Sequence, residues 1–228
     1  MRSKRPRSAP GCTDSPAIGS RRAAASRACW RATSPASFPK RARRCARSRA
    51  ARRSPTLLRC RSRSAAATRA AARRLAAAIE QVAETRAVGL VVALIGPLGA
   101  GKTEWVQGFA EGLGVAEGLV ASPTFVIASE YPGRRGLVHA DLYRLESAGE
   151  LEAAGFLDWL DPGRVIAIEW ADRFPEALPA DRLEVRIDRV ADAPGERDVA
   201  VEGTGPLAKR VADAFAKMTR EEEGAPWR

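Results

Sequence analysis

The chain has 228 residues, 38 Lys+Arg against 27 Asp+Glu and a formal net charge of +11. That length allows one or two domains, and the absence of any run of 18 apolar residues excludes a membrane-spanning helix. The charge is split: residues 1–74 carry 22 basic side chains and one acid, Asp14, whereas residues 75–228 carry 16 basic and 26 acidic ones.

Arg, Ala, Ser and Pro make up 55 of the first 74 residues. Such a segment has too few apolar side chains to offset its ordering entropy, so residues 1–64 are read as a disordered, basic Arg/Ala/Ser-rich extension. It holds all four cysteines, Cys12, Cys29, Cys45 and Cys60, with no C-x-x-C pair to suggest zinc. The cysteine-free acidic part fits a reducing cytoplasm. Three origins compete for the extension. It is an RNA-binding arm, an organellar transit peptide, or residues read upstream of the true start. The chain lacks Asn and has 33 Arg to 5 Lys, as GC-rich DNA dictates, and the next Met after Met1 is Met218. The mis-called start is the favoured reading. The first forty residues also lack the apolar stretch of a secretory signal.

From residue 65 the pattern becomes globular. Leu75, Ile79 and Val82 recur at helical spacing and predict a helix over 67–84. Leu90–Ile95 is a continuous apolar run, the mark of a strand buried on both faces. A glycine-rich turn over Gly96–Gly101 precedes a helix at Thr103–Leu113. Further strands are expected at Phe125–Glu130, Leu137–Asp141, Val165–Glu169, Leu183–Asp188 and Asp198–Val201. Helical patches fall at Ser147–Leu160, Ala171–Ala177 and Pro206–Met218. Strands separated by helices imply crossovers and a mainly parallel sheet. The expected fold is α/β, a P-loop NTPase-like three-layer sandwich over residues 65–220, followed by a frayed acidic end at 221–228.

Gly96-Pro97-Leu98-Gly99-Ala100-Gly101-Lys102-Thr103 matches G-x-x-x-x-G-K-[S/T] in full. Glycines let such a loop curl its N–H groups onto phosphates, and the following helix adds its positive dipole end. Lys102 is then placed for the β- and γ-phosphates and the Thr103 hydroxyl for Mg²⁺. A carboxylate at a neighbouring strand end must complete the site, and two qualify: Glu169 after Val165–Ile168, and Asp141 after Leu137–Ala140. His139 reads as a structural hydrogen-bonding residue. Trp170 flanks the nucleotide, meets a partner or packs in the core. Ser122-Pro123-Thr124-Phe125 is either a switch or an ordinary turn, and Arg134-Arg135 a solvated tip. A regulatory GTPase is excluded, because a chain without Asn cannot form Asn-Lys-x-Asp. A small-molecule kinase would need a lid, with only Arg134, Arg135 and Arg144 to serve it. An ATPase acting on a partner assembly, or a nucleotide-gated scaffold with negligible hydrolysis, needs less.

Leu98–Thr103, Ser122–Phe125, His139-Ala-Asp-Leu-Tyr-Arg-Leu145 and Ile168-Glu-Trp170 occur in that order. Together they resemble the TsaE (YjeE) family, bacterial ATPases of tRNA threonylcarbamoyladenosine biosynthesis, over about residues 65–215. The resemblance implies ATP and Mg²⁺ as ligands, with Gly96, Leu98, Gly99, Ala100, Gly101, Lys102, Thr103 and Glu104 around the nucleotide. It implies Glu169 as the second metal-associated carboxylate, Asp141 as an acid needed for hydrolysis, and Trp170 as a nucleotide-proximal aromatic. It also implies Thr68 near the adenine, and Ser122–Phe125 as a switch. The implied partners are TsaB and TsaD, which modify the tRNA adenosine 3′ of the anticodon; tRNA contact is left to them. Glu104 and Ala171 depart from the family, which frequently has Thr and Pro at those places.

Overall fold

Strand β2 (Leu90–Ile95) lies inside the molecule and sorts its side chains between two cores, Leu90, Val92 and Leu94 facing one and Val91 and Ala93 the other. A computed structural model describes residues 57–82, 89–122, 126–160 and 163–223. In chain order its elements are β1 (Leu57–Ser62), α1 (Ala65–Val82), β2, α2 (Lys102–Gly112), β3 (Ala128–Tyr131) and β4 (Gly136–Asp141). They continue with α3 (Ala148–Ala153), α4 (Phe156–Trp159), β5 (Arg164–Glu169), β6 (Arg182–Val190), β7 (Ala193–Gly203) and α5 (Pro206–Glu223).

The strands form one seven-stranded sheet in the order β1-β7-β6-β2-β5-β4-β3. Its four inner strands, β6, β2, β5 and β4, are parallel. The flanks are antiparallel, because the chain between β6 and β7, and between β3 and β4, is too short for a crossover. One face carries α1, α2 and α5, with Leu75, Ile79, Trp105, Phe109 and Phe215 in its core. The other carries α3, α4 and two 3-10 turns, Ala171–Arg173 and Pro175–Ala177, with Leu151, Phe156, Trp159 and Phe174 in its core. This is the three-layer arrangement that the alternation of strands and helices predicts. Helices α1 and α2 pack at glycine: a Cβ on Gly108 would lie 2.4 Å from the Arg69 carbonyl oxygen. The N-terminus of α5 is capped from outside the helix, Asp181 accepting from the N–H groups of Leu207 and Ala208 at 2.9 Å each, which satisfies orphan donors.

Several boundaries differ from expectation. The extension does not run to residue 64, since β1 occupies 57–62 and pairs with β7 from Leu57↔Glu202 to Ser62↔Arg197. Leu58, Cys60 and Ser62 point inward and Arg59 and Arg61 outward, a period-two pattern masked by basic composition. Cys60 is therefore a buried residue of the globular part. Residues 1–56, to which the extension's disorder and origin now refer, lie outside the described residues. At the other end Glu221–Glu223 continue α5 rather than fraying, and Lys217 reaches Glu221 one turn on. The patch at 147–160 is two helices, because Gly155 turns left-handed at φ 88°. The patch at 171–177 forms only 3-10 turns.

Candidate nucleotide site

Three of the parallel strands, β2, β5 and β4, set the site by ending together, while β6 runs on to Val190. Residues 96–101 leave the end of β2 and enter α2 at Lys102, while Asp141 closes β4 and Glu169 closes β5 in direct register with each other. Ligands bind at this carboxyl edge in open α/β sheets. Gly96 permits close packing of the loop on β6, where a Cβ would meet the Ile187 carbonyl oxygen at 2.2 Å. Gly99 has φ 71°, a left-handed value that side chains with a Cβ rarely adopt. Ala100 is buried and Leu98 is 72% exposed at the loop's tip.

Lys102 is 4% exposed. Its Nζ donates to the carbonyls of Gly96 at 2.7 Å and Pro97 at 3.0 Å, and lies 3.7 Å from the Trp170 ring centroid. Burial lowers its pKa, against the opposing pull of Glu169, Asp141 and Asp172. The Thr103 hydroxyl donates to Glu169, with Oε1 at 2.9 Å and Oε2 at 3.2 Å. Glu169 is itself 3% exposed and meets His139 Nε2 at 2.9 Å. His139, fully buried, is thus a structural residue, but one aimed at the site's acid. Nothing local in the sequence signals that contact, since it joins neighbouring strands 30 positions apart.

Asp141 accepts from the Tyr143 N–H at 2.9 Å. Burial raises its pKa; the Tyr143 hydrogen bond, His139 and Lys102 lower it, and Glu169 raises it further. Trp170 adopts φ 58°, strained for a bulky side chain, and its ring lies 4.9 Å from that of Tyr143. One oxygen pair, a hydroxyl and a carboxylate, suits a hard cation that takes its other ligands from phosphate and water. No cluster of three or more His, Cys, Asp or Glu able to hold a metal is found among the described residues. The donor chemistry therefore fits Mg²⁺ bound together with a nucleotide.

Thr68 is 2% exposed and its hydroxyl is bonded to Ser62 Oγ at 2.7 Å and to the Ser64 carbonyl at 3.1 Å. The Glu104 carboxylate pairs with Arg69 of α1. Ser122 is exposed, and Pro123, Thr124 and Phe125 lie outside the described residues. Arg135 is no solvated tip: it is buried and paired with Glu80 at 2.7 Å, while Arg134 donates to the Gly112 carbonyl at 2.5 Å. Neither is held over the loop as a lid would require. Two arginines that do reach the loop, Arg189 and Arg197, escape local reading because they lie about ninety positions away.

A curled glycine loop between a buried parallel strand and a helix, with Lys, Thr and a strand-end carboxylate gathered on it, defines a P-loop NTPase-like protein. Residues 62–199 match the family described as threonylcarbamoyl adenosine biosynthesis protein TsaE. The chain belongs to that family. It is 46% identical over 133 residues to the TsaE protein of Streptomyces coelicolor, covering 55% of this chain and 87% of that one. To the TsaE protein of Bacillus subtilis it is 38% identical over 130 residues, 57% of this chain and 79% of that one. Among solved structures, Bacillus subtilis YdiB superposes with a TM-score of 0.59 at 30% identity, over 73% of this chain and 98% of that one.

Proposed function

We propose that the protein is a Mg²⁺-dependent ATPase that supports formation of the threonylcarbamoyl modification on the tRNA adenosine 3′ of the anticodon. It acts with TsaB and TsaD in the cytoplasm. The observation that carries the reading is the Thr103–Glu169 pair beside the loop, at 2.9 and 3.2 Å. Relatives named for tRNA threonylcarbamoyladenosine biosynthesis support the pathway. The −10 balance of residues 75–228 supports leaving tRNA to the partners.

In this mechanism the N–H groups of the loop and the first turn of α2 receive the α- and β-phosphates of ATP. The Lys102 ammonium, held against the loop carbonyls and the Trp170 face, turns to the β- and γ-phosphate oxygens. Thr103 Oγ1 and the Glu169 carboxylate would hold Mg²⁺, and His139 Nε2 keeps that carboxylate in place. Bound there, the ion would supply charge neutralisation to the phosphate oxygens. Asp141 is not committed to Thr103 or His139, so its carboxylate orients the attacking water, and Trp170 and Tyr143 flank the nucleotide. Water attacks the γ-phosphorus and the bond to the β,γ-bridging oxygen breaks, giving ADP and phosphate.

The test is ATP turnover by Lys102→Ala and Glu169→Ala in the presence of TsaB and TsaD. Both are expected to fall to background, and unchanged turnover in both would refute the site. Binding of ATP without turnover by the parent chain would instead identify a nucleotide-gated scaffold.

A further inference from the structure

Five consecutive carbonyls of the phosphate loop accept hydrogen bonds from cationic side chains. Lys102 takes those of Gly96 and Pro97. The next three go to arginines at the distal end of the β6–β7 hairpin. Arg189 Nη2 donates to Leu98 at 2.9 Å and its Nε to Gly99 at 3.3 Å, while Arg197 Nε donates to Ala100 at 2.7 Å. The two arginines contact backbone alone there, so they act on the shape of the loop.

We infer that Arg189 and Arg197 are positioning residues that pre-organise the loop for phosphate, an inference that rests on the nucleotide-binding reading above. In a trans peptide the C=O and the following N–H point in opposite directions. Drawing the carbonyls of Leu98, Gly99 and Ala100 towards guanidinium groups turns the N–H groups that follow them away; that of Ala100 donates to the Pro97 carbonyl at 3.1 Å, which leaves those of Gly99 and Gly101. These are the amides that a curled loop offers to an anion. Without such anchors, a loop rich in glycine samples flipped peptides at little cost, and each flip replaces a donor by a carbonyl that repels phosphate. Apparent affinity scales with the fraction of loops in the competent form. The site is built for this contact: a Cβ on Gly99 would lie 2.1 Å from Arg189 Nη2, so glycine at 99 is what admits the guanidinium. Arg197 is further braced by the carbonyls of Pro194 and Glu196, at 2.7 Å each.

The position of these groups distinguishes them from a charge that reads the transferred phosphoryl group. Loop amides contact the diphosphate common to ADP and ATP, so loss of pre-organisation weakens both nucleotides by the same factor and leaves kcat unchanged. A γ-phosphate contact would weaken ATP alone, or lower kcat.

The experiment compares the full chain with Arg189→Ala and Arg197→Ala. Arg189→Ala is the cleaner variant, because Arg197 also braces its own hairpin. Hydrogen exchange of the amides at 98–101 is measured first, without nucleotide, and Kd values for ADP and ATP and the kcat with TsaB and TsaD follow. The expected result is faster exchange confined to the loop, an unchanged Tm for Arg189→Ala, and a rise of about tenfold in both Kd values at constant kcat. Unchanged loop exchange overturns the inference, as does an effect restricted to ATP or to kcat. If the parent chain binds neither nucleotide, the nucleotide reading falls, while the exchange measurement still decides whether the arginines hold the loop.

Discussion

Replacing Asp141 by Asn removes one of two carboxylates that end neighbouring parallel strands in register, Asp141↔Glu169. Strands lie about 4.8 Å apart, which puts the two charges roughly 6 Å apart. At an effective dielectric of about 20 their repulsion is on the order of 3 kcal/mol. Attraction to His139 and then Lys102 opposes it, and the Tyr143 N–H bond at 2.9 Å survives in Asn, whose side-chain oxygen also accepts. What remains is burial, and the upward pKa shift of Asp141 shows that burial wins. The folded pKa therefore lies above the ordinary 3.8, so the folded chain binds the proton more tightly. The stability this group contributes is present below pH 3.8 and lost as pH rises through the folded value. At pH 7 the Asn variant should be more stable than the parent and melt higher, with the gain vanishing towards pH 4. Its ATP turnover should fall at least a hundredfold. Calorimetry at pH 7 and pH 4, beside an ATPase assay, reads both. A variant that melts lower than the parent at pH 7, or keeps full turnover, refutes the assignment of Asp141 as a functional acid held at the fold's expense.

Leu58→Ala should cost about 2–4 kcal/mol in urea unfolding, whereas Leu57→Ala, at the 44% exposed neighbour, should cost under about 1; equal effects would place β1 outside the fold. Gly108→Ala, whose new methyl would press on the Arg69 backbone, should lower stability by about 1–3 kcal/mol, and a neutral result would disprove the close α1–α2 contact. His139→Ala removes the Nε2 partner of Glu169 at 2.9 Å. It should weaken Mg²⁺-dependent turnover by about 10- to 100-fold, measured as activity against Mg²⁺ concentration; an unshifted Mg²⁺ requirement would separate His139 from the metal's support.

What could be read in the sequence was what chemistry holds at short spacing. The loop Gly96–Thr103 is legible because glycine, lysine and threonine must occur within eight positions to curl around phosphate. Leu90–Ile95 is legible because six apolar residues of strand length, rich in β-branched side chains and ended by Gly96-Pro97, suit a strand buried on both faces. Glu169 and Asp141 follow, since strand ends in a parallel sheet converge. Contacts between distant segments leave no such signature. His139 meets Glu169 across two strands, and Arg189 and Arg197 reach the loop from a hairpin far along the chain. β1 was obscured differently: its inward residues, Leu58, Cys60 and Ser62, are few and weakly apolar, and the arginines between them match the basic stretch before it. Composition averaged over a long segment hid a six-residue alternation. The Thr68 hydroxyl is likewise bonded within the β1–α1 junction, to Ser62 and Ser64, contacts that its residue type alone does not announce.

The central claim is that one Mg-ATP site sits on the loop at 96–103. Isothermal titration of the full chain with ATP in the presence and absence of Mg²⁺, repeated with Lys102→Ala, tests it most directly. One Mg²⁺-dependent ATP per parent chain and none in the variant is the predicted result, and equal binding by the two chains would contradict it.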